Sequence, residues 1–276
     1  MMNISKIVIP AAGYGTRFLP YTKAVPKEML PLLNKPAFEY IIQEGKECGV
    51  NQFAIIRSHD KNAIEHYFSP DERLEHFLQK KGKTHITQDL NALINSTRFE
   101  YIYQEEALGL GHAISLAKNC IDTDFFGVML PDDIMLGSPC ALAQLMQIAK
   151  EKNASVIAVQ EVPYEQTASY GVISIKNHLH DSLFEVADMV EKPQPKDAPS
   201  NLTIIGRYIL SSALFPILEK LKPTSGGEIQ LTDGLAALIK SGHPIYAVKV
   251  NTRRFDIGTP AGWLQANNYL FDAQAK

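Results

Sequence analysis

Residues 7–32 are IVIPAAGYGTRFLPYTKAVPKEMLPL, and this stretch decides how the rest of the chain is interpreted. Its first three residues predict a buried strand, since parallel strands covered on both faces are continuous apolar runs. Small residues follow at 11–16, where a backbone can approach a ligand closely. The cations Arg17, Lys23 and Lys27 come next. A glycine-rich turn with trailing cations suits a polyphosphate, because backbone N–H groups supply donors and the cations neutralise charge.

Two familiar phosphate-binding loops are excluded. A dinucleotide fingerprint, G-x-G-x-x-G, requires glycine where this chain has Phe18. A Walker loop, G-x-x-x-x-G-K-[ST], occurs nowhere in the sequence. The remaining pattern is G-x-G-T-R followed by P-K, with prolines at 20 and 26 between Arg17 and Lys27. It predicts a phosphate site of a different type, and a strand–turn with scattered surface cations is the alternative.

The composition excludes several classes of protein. With 276 residues, 45% hydrophobic and 21% charged, the chain is long enough for one large α/β domain with an added lobe. A net charge of −3 argues against binding a nucleic-acid polymer through a broad basic surface. We expect no signal peptide and no membrane partner, because no apolar run approaches ~18 residues. Three cysteines without a C-x-x-C pattern predict reduced, buried thiols, and hence a cytoplasmic protein.

The order of apolar runs predicts the fold. Strand-like and helix-like segments alternate through the first half, which is typical of a parallel sheet with helices on its faces. Residues 60–97 lack a strand signal and are charged and helical, so we expect either a mobile lid or a solvated decoration of the sheet edge. After 162 the runs at 170–175 and 183–193, and a strand at 203–210 broken by Gly206, predict an antiparallel extension of the same sheet. The expected fold is α/β: a Rossmann-like mixed, mostly parallel sheet flanked by helices.

Two further strand ends carry polar residues. A strand predicted at 99–103 leads into the glycine-rich turn 104–113, and a strand predicted at 125–130 ends beside Asp132 and Asp133. Open α/β sheets bind ligands at the carboxyl ends of their strands. Carboxylates beside a polyphosphate are the hard oxygen ligands that Mg²⁺ prefers. Alternatively, the glycines only cap a helix and the aspartates only cap a turn.

The same residues carry a family resemblance. The strings AAGYGTRFLP (11–20) and TKAVPKEMLP (22–31) resemble the signature of sugar-phosphate nucleotidyltransferases, and the second is similar to the bacterial UTP–glucose-1-phosphate uridylyltransferase branch. The resemblance covers nearly the full chain, densely in 8–31 and 104–133. It implies an Mg²⁺-dependent enzyme that makes UDP-glucose and pyrophosphate from UTP and glucose 1-phosphate. It also implies a homodimer or homotetramer.

The resemblance assigns roles residue by residue. The carboxamide of Gln104 suits a uracil because it can both donate and accept. Arg17 would neutralise the leaving pyrophosphate, Lys27 would share that role or hold the α-phosphate, and Lys192 would hold the sugar phosphate. The implied nucleotide-binding residues are Ala11, Ala12, Gly13, Gly15, Thr16, Gln104, Gly109 and Asp132. The implied sugar-binding residues are Gly171, Glu191, Lys192 and Gly206, and the implied metal ligands are Asp132 and Asp256, with Asp133 as the alternate.

The resemblance also implies one nucleotidyltransferase domain over 1–276. Residues 1–160 would form a nucleotide-binding half, and 161–276 a sugar-binding half with the C-terminal helices. Three other hypotheses stay open: the same chemistry with another nucleotide or sugar, such as dTTP; a non-catalytic regulatory paralogue that binds sugar nucleotides; and a nucleotide-dependent oxidoreductase. Two metal carboxylates count against the second hypothesis, and the missing third glycine counts against the last.

Overall fold

The computed structural model describes residues 2–224 and 226–274 and has a nine-stranded sheet at its centre. The strands are β1 (Lys6–Pro10), β2 (Pro31–Leu32), β3 (Lys35–Pro36), β4 (Gln52–Arg57), β5 (Arg98–Tyr103), β6 (Phe125–Met129), β7 (Asp133–Leu136), β8 (Ser155–Glu161), β9 (Gly171–His180), β10 (Leu183–Glu191), β11 (Leu202–Ser211), β12 (Ile245–Lys249) and β13 (Arg253–Asp256). The helices are α1 (Ala37–Glu47), α2 (Asn62–Tyr67), α3 (Glu72–Lys80), α4 (Gln88–Asn95), α5 (Leu110–Ser115), α6 (Ala141–Lys152), α7 (Phe215–Leu218), α8 (Leu231–Lys240) and α9 (Pro260–Gln274).

The large sheet has a parallel part and a mixed part. Strands β5, β4, β1 and β6 lie side by side in parallel. Strands β11, β8, β12, β10 and β9 continue the sheet, and all neighbours in this part are antiparallel except β8 and β12. Outside it, β2 pairs with β3 and β7 pairs with β13. The predicted mixed α/β sheet with an antiparallel extension is therefore confirmed.

Strand β1 is buried on both faces. Ile7 and Ile9 pack in the apolar layer that contains helices α1 and α6. Val8 points to the opposite layer, which contains α5 and α8, because successive side chains of a strand alternate between faces. The loop that follows Pro10 therefore begins from a strand fixed by two layers of the core.

The segment 60–97 is helical, as predicted, and consists largely of α2, α3 and α4. Leu93 and Ile94 of α4 pack against the core, whereas Phe77 of α3 is 56% exposed. In the part of the chain that the structure describes, no residue between 62 and 97 lines the two cavities described below. The segment thus has the position of a surface decoration.

Strand β11 differs from its prediction. The sequence predicts a break at Gly206, but β11 runs unbroken from Leu202 to Ser211. Its register against β8 jumps between Ile205 and Tyr208, so Gly206 and Arg207 form a bulge. Bulges change the direction in which a side chain points, and they are frequent beside active sites.

The three cysteines are free, as predicted, but they are not all buried as the prediction required. Cys140 is buried and the other two are half-buried, and the Sγ atoms of Cys48 and Cys140 lie 3.3 Å apart. No helix within residues 2–224 and 226–274 is both long and apolar enough to cross a membrane.

Candidate active site

A cleft lies where the loops after β1, β5 and β6 leave the same edge of the sheet. It contains two adjoining cavities. The loop-side cavity, of about 360 Å³, is lined by Ala12, Gly13, Lys27, Gln104 and Gly109, among others. The hairpin-side cavity, of about 290 Å³, lies against β9 and β10 and is lined by Arg17, Gly171 and Asp256, among others. Asp132, Glu191 and Lys192 line both cavities, so these three charged groups lie where the two cavities meet.

The glycine loop after β1 is held in a defined shape. Gly15 has φ of +64°, a left-handed conformation that favours glycine. A Cβ at this position would also lie only 3.2 Å from Cβ of Lys27. The hydroxyl of Thr22 donates to the Gly15 carbonyl at 2.9 Å. Among the described residues, the backbone N–H groups of 12–15 donate to no backbone acceptor, so they remain available for an anion.

Three residues of this loop with an implied role, Ala11, Gly15 and Thr16, line neither cavity. Ala11 is buried, its N–H donates to the Ile56 carbonyl at 2.7 Å, and its own carbonyl accepts from Nζ of Lys61 at 2.6 Å. Both backbone polar groups are thus occupied, which favours a supporting position for Ala11 in the loop over the ligand contact implied for it. Thr16 is exposed at the start of a short 3₁₀ turn and lines neither cavity.

A buried ion pair beneath the loop is absent from the sequence-based predictions. Nζ of Lys61 donates to both carboxylate oxygens of Glu28, at 2.9 and 2.8 Å, as well as to Ala11. Burial lowers the pKa of Lys61, although the Glu28 carboxylate opposes this effect. The pair ties the β4–α2 loop to the residue that follows Lys27. It therefore fixes the base of the cleft.

Lys27 and Asp132 form an ion pair with Nζ and Oδ2 2.6 Å apart. Burial by itself would raise the pKa of Asp132, but the Lys27 ammonium, a backbone hydrogen bond and Arg254 together lower the pKa below its ordinary value. Likewise burial disfavours the ammonium of Lys27, but Asp132 and Glu28 raise its pKa overall. Both groups are consequently charged at neutral pH, one suited to a phosphate and the other to a metal ion.

The neighbouring Asp133 has different partners. Its Oδ1 accepts from Nε of Arg254 at 2.7 Å, and its Oδ2 accepts from the backbone N–H of Gly206 at 2.8 Å. A Cβ at Gly206 would lie 2.7 Å from that Oδ2. Gly206 therefore makes room for Asp133 and lines neither cavity, in contrast to its implied contact with the sugar. Both oxygens of Asp133 are thus engaged by Arg254 and the backbone of β11, whereas Asp132 pairs through Oδ2 with Lys27, which lines the loop-side cavity.

Asp256 reaches the cleft through the β7–β13 ribbon, in which Asp256 lies opposite Asp133. The N–H of Ile257 donates to the Asp132 carbonyl at 2.9 Å and links the two acidic segments. A Cβ at Gly258 would lie 3.0 Å from Oδ1 of Asp256, 3.2 Å from Oδ2 of Asp132 and 3.4 Å from Nη1 of Arg17. The missing side chain thus leaves a space between two carboxylates, which suits a small hard cation.

The hairpin side is built from side chains of β9, β10 and the start of α8. Gly171 lies opposite Glu191 in the antiparallel register. Oε2 of Glu191 accepts from the Thr232 hydroxyl at 2.9 Å, and Oε1 lies 3.6 Å from Nζ of Lys192. Lys192 has φ of +44°, which costs a non-glycine residue about 1–3 kcal/mol. Its backbone N–H donates to the Tyr170 carbonyl at 3.0 Å, and its side chain is more than half exposed at the boundary of the cavities.

The loop after β5 closes the other end of the loop-side cavity. The Gln104 amide contacts Nδ1 of His112 at 2.8 Å. Gly109 has φ of +92°, and a Cβ there would lie 2.9 Å from the Ile229 carbonyl. Ile229 is bound in turn by two backbone hydrogen bonds to this loop, through Leu108 and Gly111. The glycines of the loop therefore allow the segment before α8 to pack closely on it.

Sequence reasoning missed several cavity residues, and five of them have polar side chains that bear on the hairpin side. The local sequence does not mark Arg254 or Tyr170 as functional, because each resembles an ordinary strand or turn residue. Only in the folded structure does Asp133 lie beside Arg254. Burial raises the pKa of Tyr208 and keeps its hydroxyl protonated. For Gln230 and Thr232, the sequence signal was the string GGEIQLT, which directly precedes and enters α8. The five residues are Tyr170, Tyr208, Gln230, Thr232 and Arg254.

Comparisons with known proteins agree over most of the chain. The family model described as nucleotidyl transferase matches residues 6–273. The chain is 41% identical over 271 residues to a UTP–glucose-1-phosphate uridylyltransferase of Pseudomonas aeruginosa, covering 98% of this chain and 96% of the relative. It is similar to a UDP-glucose pyrophosphorylase complexed with UDP-glucose, with TM-score 0.90, 37% identity, and coverage of 98% and 100%. A UTP-bound UGPase from Acinetobacter baumannii gives TM-score 0.89 and 33% identity, with coverage of 97% and 93%.

Proposed function

This chain belongs to the nucleotidyl transferase family, and on that premise we propose that it makes UDP-glucose and pyrophosphate from UTP and glucose 1-phosphate. The resemblance in 11–31 is confirmed by relatives named UTP–glucose-1-phosphate uridylyltransferase. The observation that carries the proposal is that Asp132 and Lys192 lie at the boundary of two cavities, with Lys27 of the loop-side cavity paired to Asp132. Such a boundary is where two phosphorylated substrates would react.

The loop-side cavity would hold the nucleotide. Its glycine loop offers unoccupied N–H groups to the triphosphate, and Gln104 at the opposite wall can both donate to and accept from uracil. Lys27 would hold the α-phosphate, and Arg17 would neutralise the departing pyrophosphate. We propose Ala12, Gly13, Gly15 and Gly109 as the backbone contacts of the nucleotide.

The hairpin-side cavity would hold glucose 1-phosphate. Glu191, fixed by Thr232, offers a carboxylate that accepts hydrogen bonds from sugar hydroxyls. Gly171 faces this carboxylate without a side chain and so leaves room for the hexose. Lys192 lies between the two cavities, where it would hold the sugar phosphate beside the nucleotide.

The residues of the cleft fit a magnesium ion. Asp132 and Asp256 would hold it across the space left by Gly258, because Mg²⁺ favours one or two carboxylates together with phosphate oxygens. Asp133 does not take part, since Arg254 and Gly206 occupy its oxygens. When bound, Mg²⁺ would act as a Lewis acid and a template for the phosphates.

The proposed reaction needs positioning more than proton transfer. An oxygen of the sugar phosphate forms a bond to the α-phosphorus of UTP, the bond from that phosphorus to the bridging oxygen breaks, and pyrophosphate leaves with the electron pair. The nucleophile is already anionic, so no general base is required. Lys27 and Lys192 would hold the two phosphates in line, and Arg17 would stabilise the charge on the leaving group.

An assay with UTP, glucose 1-phosphate and Mg²⁺ tests the proposal by measuring pyrophosphate and UDP-glucose together. We expect both products in equal amounts, and neither after chelation of the metal. If turnover is faster with dTTP than with UTP, dTTP is the nucleotide substrate. Tight binding of UDP-glucose without turnover would favour a regulatory protein instead. Binding of NAD(P) would favour the oxidoreductase hypothesis, which family membership does not support.

The proposed oligomeric state is a homodimer or homotetramer. Light scattering after gel filtration would measure the mass directly. A mass equal to one chain of 30.7 kDa would contradict this part of the proposal.

A further inference from the structure

Arg207 is fully buried, yet it lines neither of the two cavities in the described residues. It belongs to the bulge of β11, and its guanidinium forms an ion pair with the buried Glu44 of α1 at 2.7 Å. Replacing a buried ion pair by apolar residues is often neutral or stabilising. Stability alone is therefore a weak reason for a charge at this position.

The hydrogen bonds of Arg207 indicate what it does. Nη1 donates to the carbonyls of Leu130 and Gly206, at 3.3 and 2.9 Å, and Nη2 donates to the carbonyl of Asp133 at 2.9 Å. Nε and Nη2 donate to one oxygen of Glu44, at 3.0 and 2.7 Å. These five hydrogen bonds equal the five N–H donors that a guanidinium has.

Glu44 fixes the position of this guanidinium. Its second carboxylate oxygen accepts from the backbone N–H of Leu142 at 3.0 Å, in the first turn of α6. Carboxylates are stabilised at a helix N-terminus by the unpaired N–H groups and the helix dipole. Glu44 thus joins α1, α6 and Arg207 in one buried network.

The turn held by this network carries Asp132. Arg207 binds the carbonyls of Leu130 and Asp133, which lie on either side of Asp132 in sequence. The N–H of Leu130 donates to the Gly206 carbonyl at 2.9 Å, and the carbonyl of Asp132 accepts from Ile257. The backbone around Asp132 is therefore fixed from below by Arg207 and from the side by the segment of Asp256.

We propose that Arg207, held by Glu44, is a positioning residue that aims Asp132 at the metal site across Gly258. The proposal rests on the proposed function, because it assigns Asp132 to the metal. Arg207 touches neither substrate nor metal. Lysine at this position could replace the charge but not the planar set of five donors.

Three variants test this proposal: Arg207→Lys, Arg207→Met and Glu44→Gln. The first readout is binding of Mn²⁺ alone, followed by the electron paramagnetic resonance signal of the free ion. The second readout is the Mg²⁺ concentration that gives half-maximal turnover. We expect both midpoints to rise about 10- to 100-fold in Arg207→Met, as for partners that orient metal ligands, and less in Arg207→Lys. KM for glucose 1-phosphate should stay within about twofold.

The matched control is Lys6→Met. Lys6 is another buried cation on the sheet, but it lies at the amino end of β1 and bonds Glu100 and the Cys120 carbonyl. We expect this variant to lose stability without a change in the Mn²⁺ midpoint. A shift of the same size in the control would assign the effect to general destabilisation and overturn the proposal.

Unchanged Mn²⁺ and Mg²⁺ midpoints in folded Arg207→Met would also overturn the proposal. If that variant does not fold, Arg207→Lys and Glu44→Gln give the same decision, since each keeps a hydrogen-bonding side chain. Failure of the wild type to make UDP-glucose would instead reject the proposed function. The Mn²⁺ titrations distinguish the two failures because they do not depend on turnover.

Discussion

The two sides of the cleft are built differently. The loop side consists of backbone segments that leave the ends of parallel strands, with Gly13 and Gly109 lining the cavity. The hairpin side consists of side chains from an antiparallel pair and from α8, such as Glu191 and Thr232. A short local sequence can specify a backbone loop, whereas converging side chains require the folded sheet. This difference explains why one side carries a stronger sequence signature.

The cations on the two sides also differ. Nζ of Lys27 is 2.6 Å from Oδ2 of Asp132, whereas Nζ of Lys192 is 3.6 Å from Oε1 of Glu191 and its side chain is 56% exposed. Lys27 is thus positioned by a charge partner, and Lys192 by its backbone, with φ of +44°. The loop side has its charges paired in advance, while the hairpin side leaves a cation available for an incoming phosphate.

The largest predicted effect concerns the two neighbouring aspartates. Asp132→Asn should lower kcat at saturating Mg²⁺ by about 10²-fold or more, because it removes a charge that acts on the reacting phosphates. Asp133→Asn should instead lower the free energy of unfolding by about 3 kcal/mol, since Arg254 loses its buried partner. Turnover and chemical denaturation are measured for both variants. Near wild-type rates for Asp132→Asn would contradict the assignment of Asp132 as a metal ligand.

Loss of the exposed cation should have an effect of similar size. Lys192→Ala should lower kcat/KM for glucose 1-phosphate by about 10²-fold, because it removes the cation that would hold the sugar phosphate at the boundary of the cavities. Lys196→Ala is the matched control, since Lys196 is an exposed lysine of the following loop that lines neither cavity. If kcat/KM falls equally in both variants, Lys192 contributes only to the general positive charge of the surface.

Filling the space between the carboxylates should reduce turnover by about tenfold. Gly258→Ala adds a methyl group 3.0 Å from Oδ1 of Asp256, and overpacking of this kind costs about 1–3 kcal/mol. In Gly226→Ala the same methyl group would lie 3.8 Å from the Thr224 hydroxyl, the nearest atom among the described non-neighbouring residues, and the substitution should be neutral. Mg²⁺-dependent turnover is compared in the two variants. A fully active Gly258→Ala would place the metal elsewhere.

A smaller effect is expected from the support of Glu191. Thr232→Val removes a hydrogen bond of about 1 kcal/mol and should raise KM for glucose 1-phosphate about fivefold, with kcat little changed. Thr203→Val is the control, because Thr203 donates to the Gln160 carbonyl away from the cavities. If KM responds equally to both substitutions, Thr232 has no specific role on the hairpin side.

The smallest effect is the pH dependence of the Lys27–Asp132 pair. The lowered pKa of Asp132 means that its contribution to stability is present above about pH 3.9 and is lost as the pH falls through the folded value. The raised pKa of Lys27 means that its contribution is present below about pH 10.4 and is lost as the pH rises through the folded value. Between these two pH values, the Tm of the wild type should therefore be about 2 °C higher than the Tm of Lys27→Met. A difference that is independent of pH from 3 to 11 would contradict an ion pair.

Much of the fold follows from local patterns. Apolar runs of strand length predict β1 and β6, because strands buried on both faces need no polar residues. The excursion at 60–97 is helical as its charge pattern predicts. The bulge of β11 was not predicted, because a glycine within a strand indicates either a break or a bulge. The pairing of β11 with β8 determines which of the two forms.

The sequence by itself determined which residues could carry the chemistry: a glycine turn with trailing cations, paired carboxylates after a strand, and the family resemblance. Only the tertiary structure distinguishes Asp132 from Asp133, because their difference depends on Lys27 and Arg254, which are distant in sequence. It likewise shows that both backbone polar groups of Ala11 have protein partners. The physical reason is that the role of a charged or polar group is set by the partners within hydrogen-bond distance, and folding alone brings those partners together.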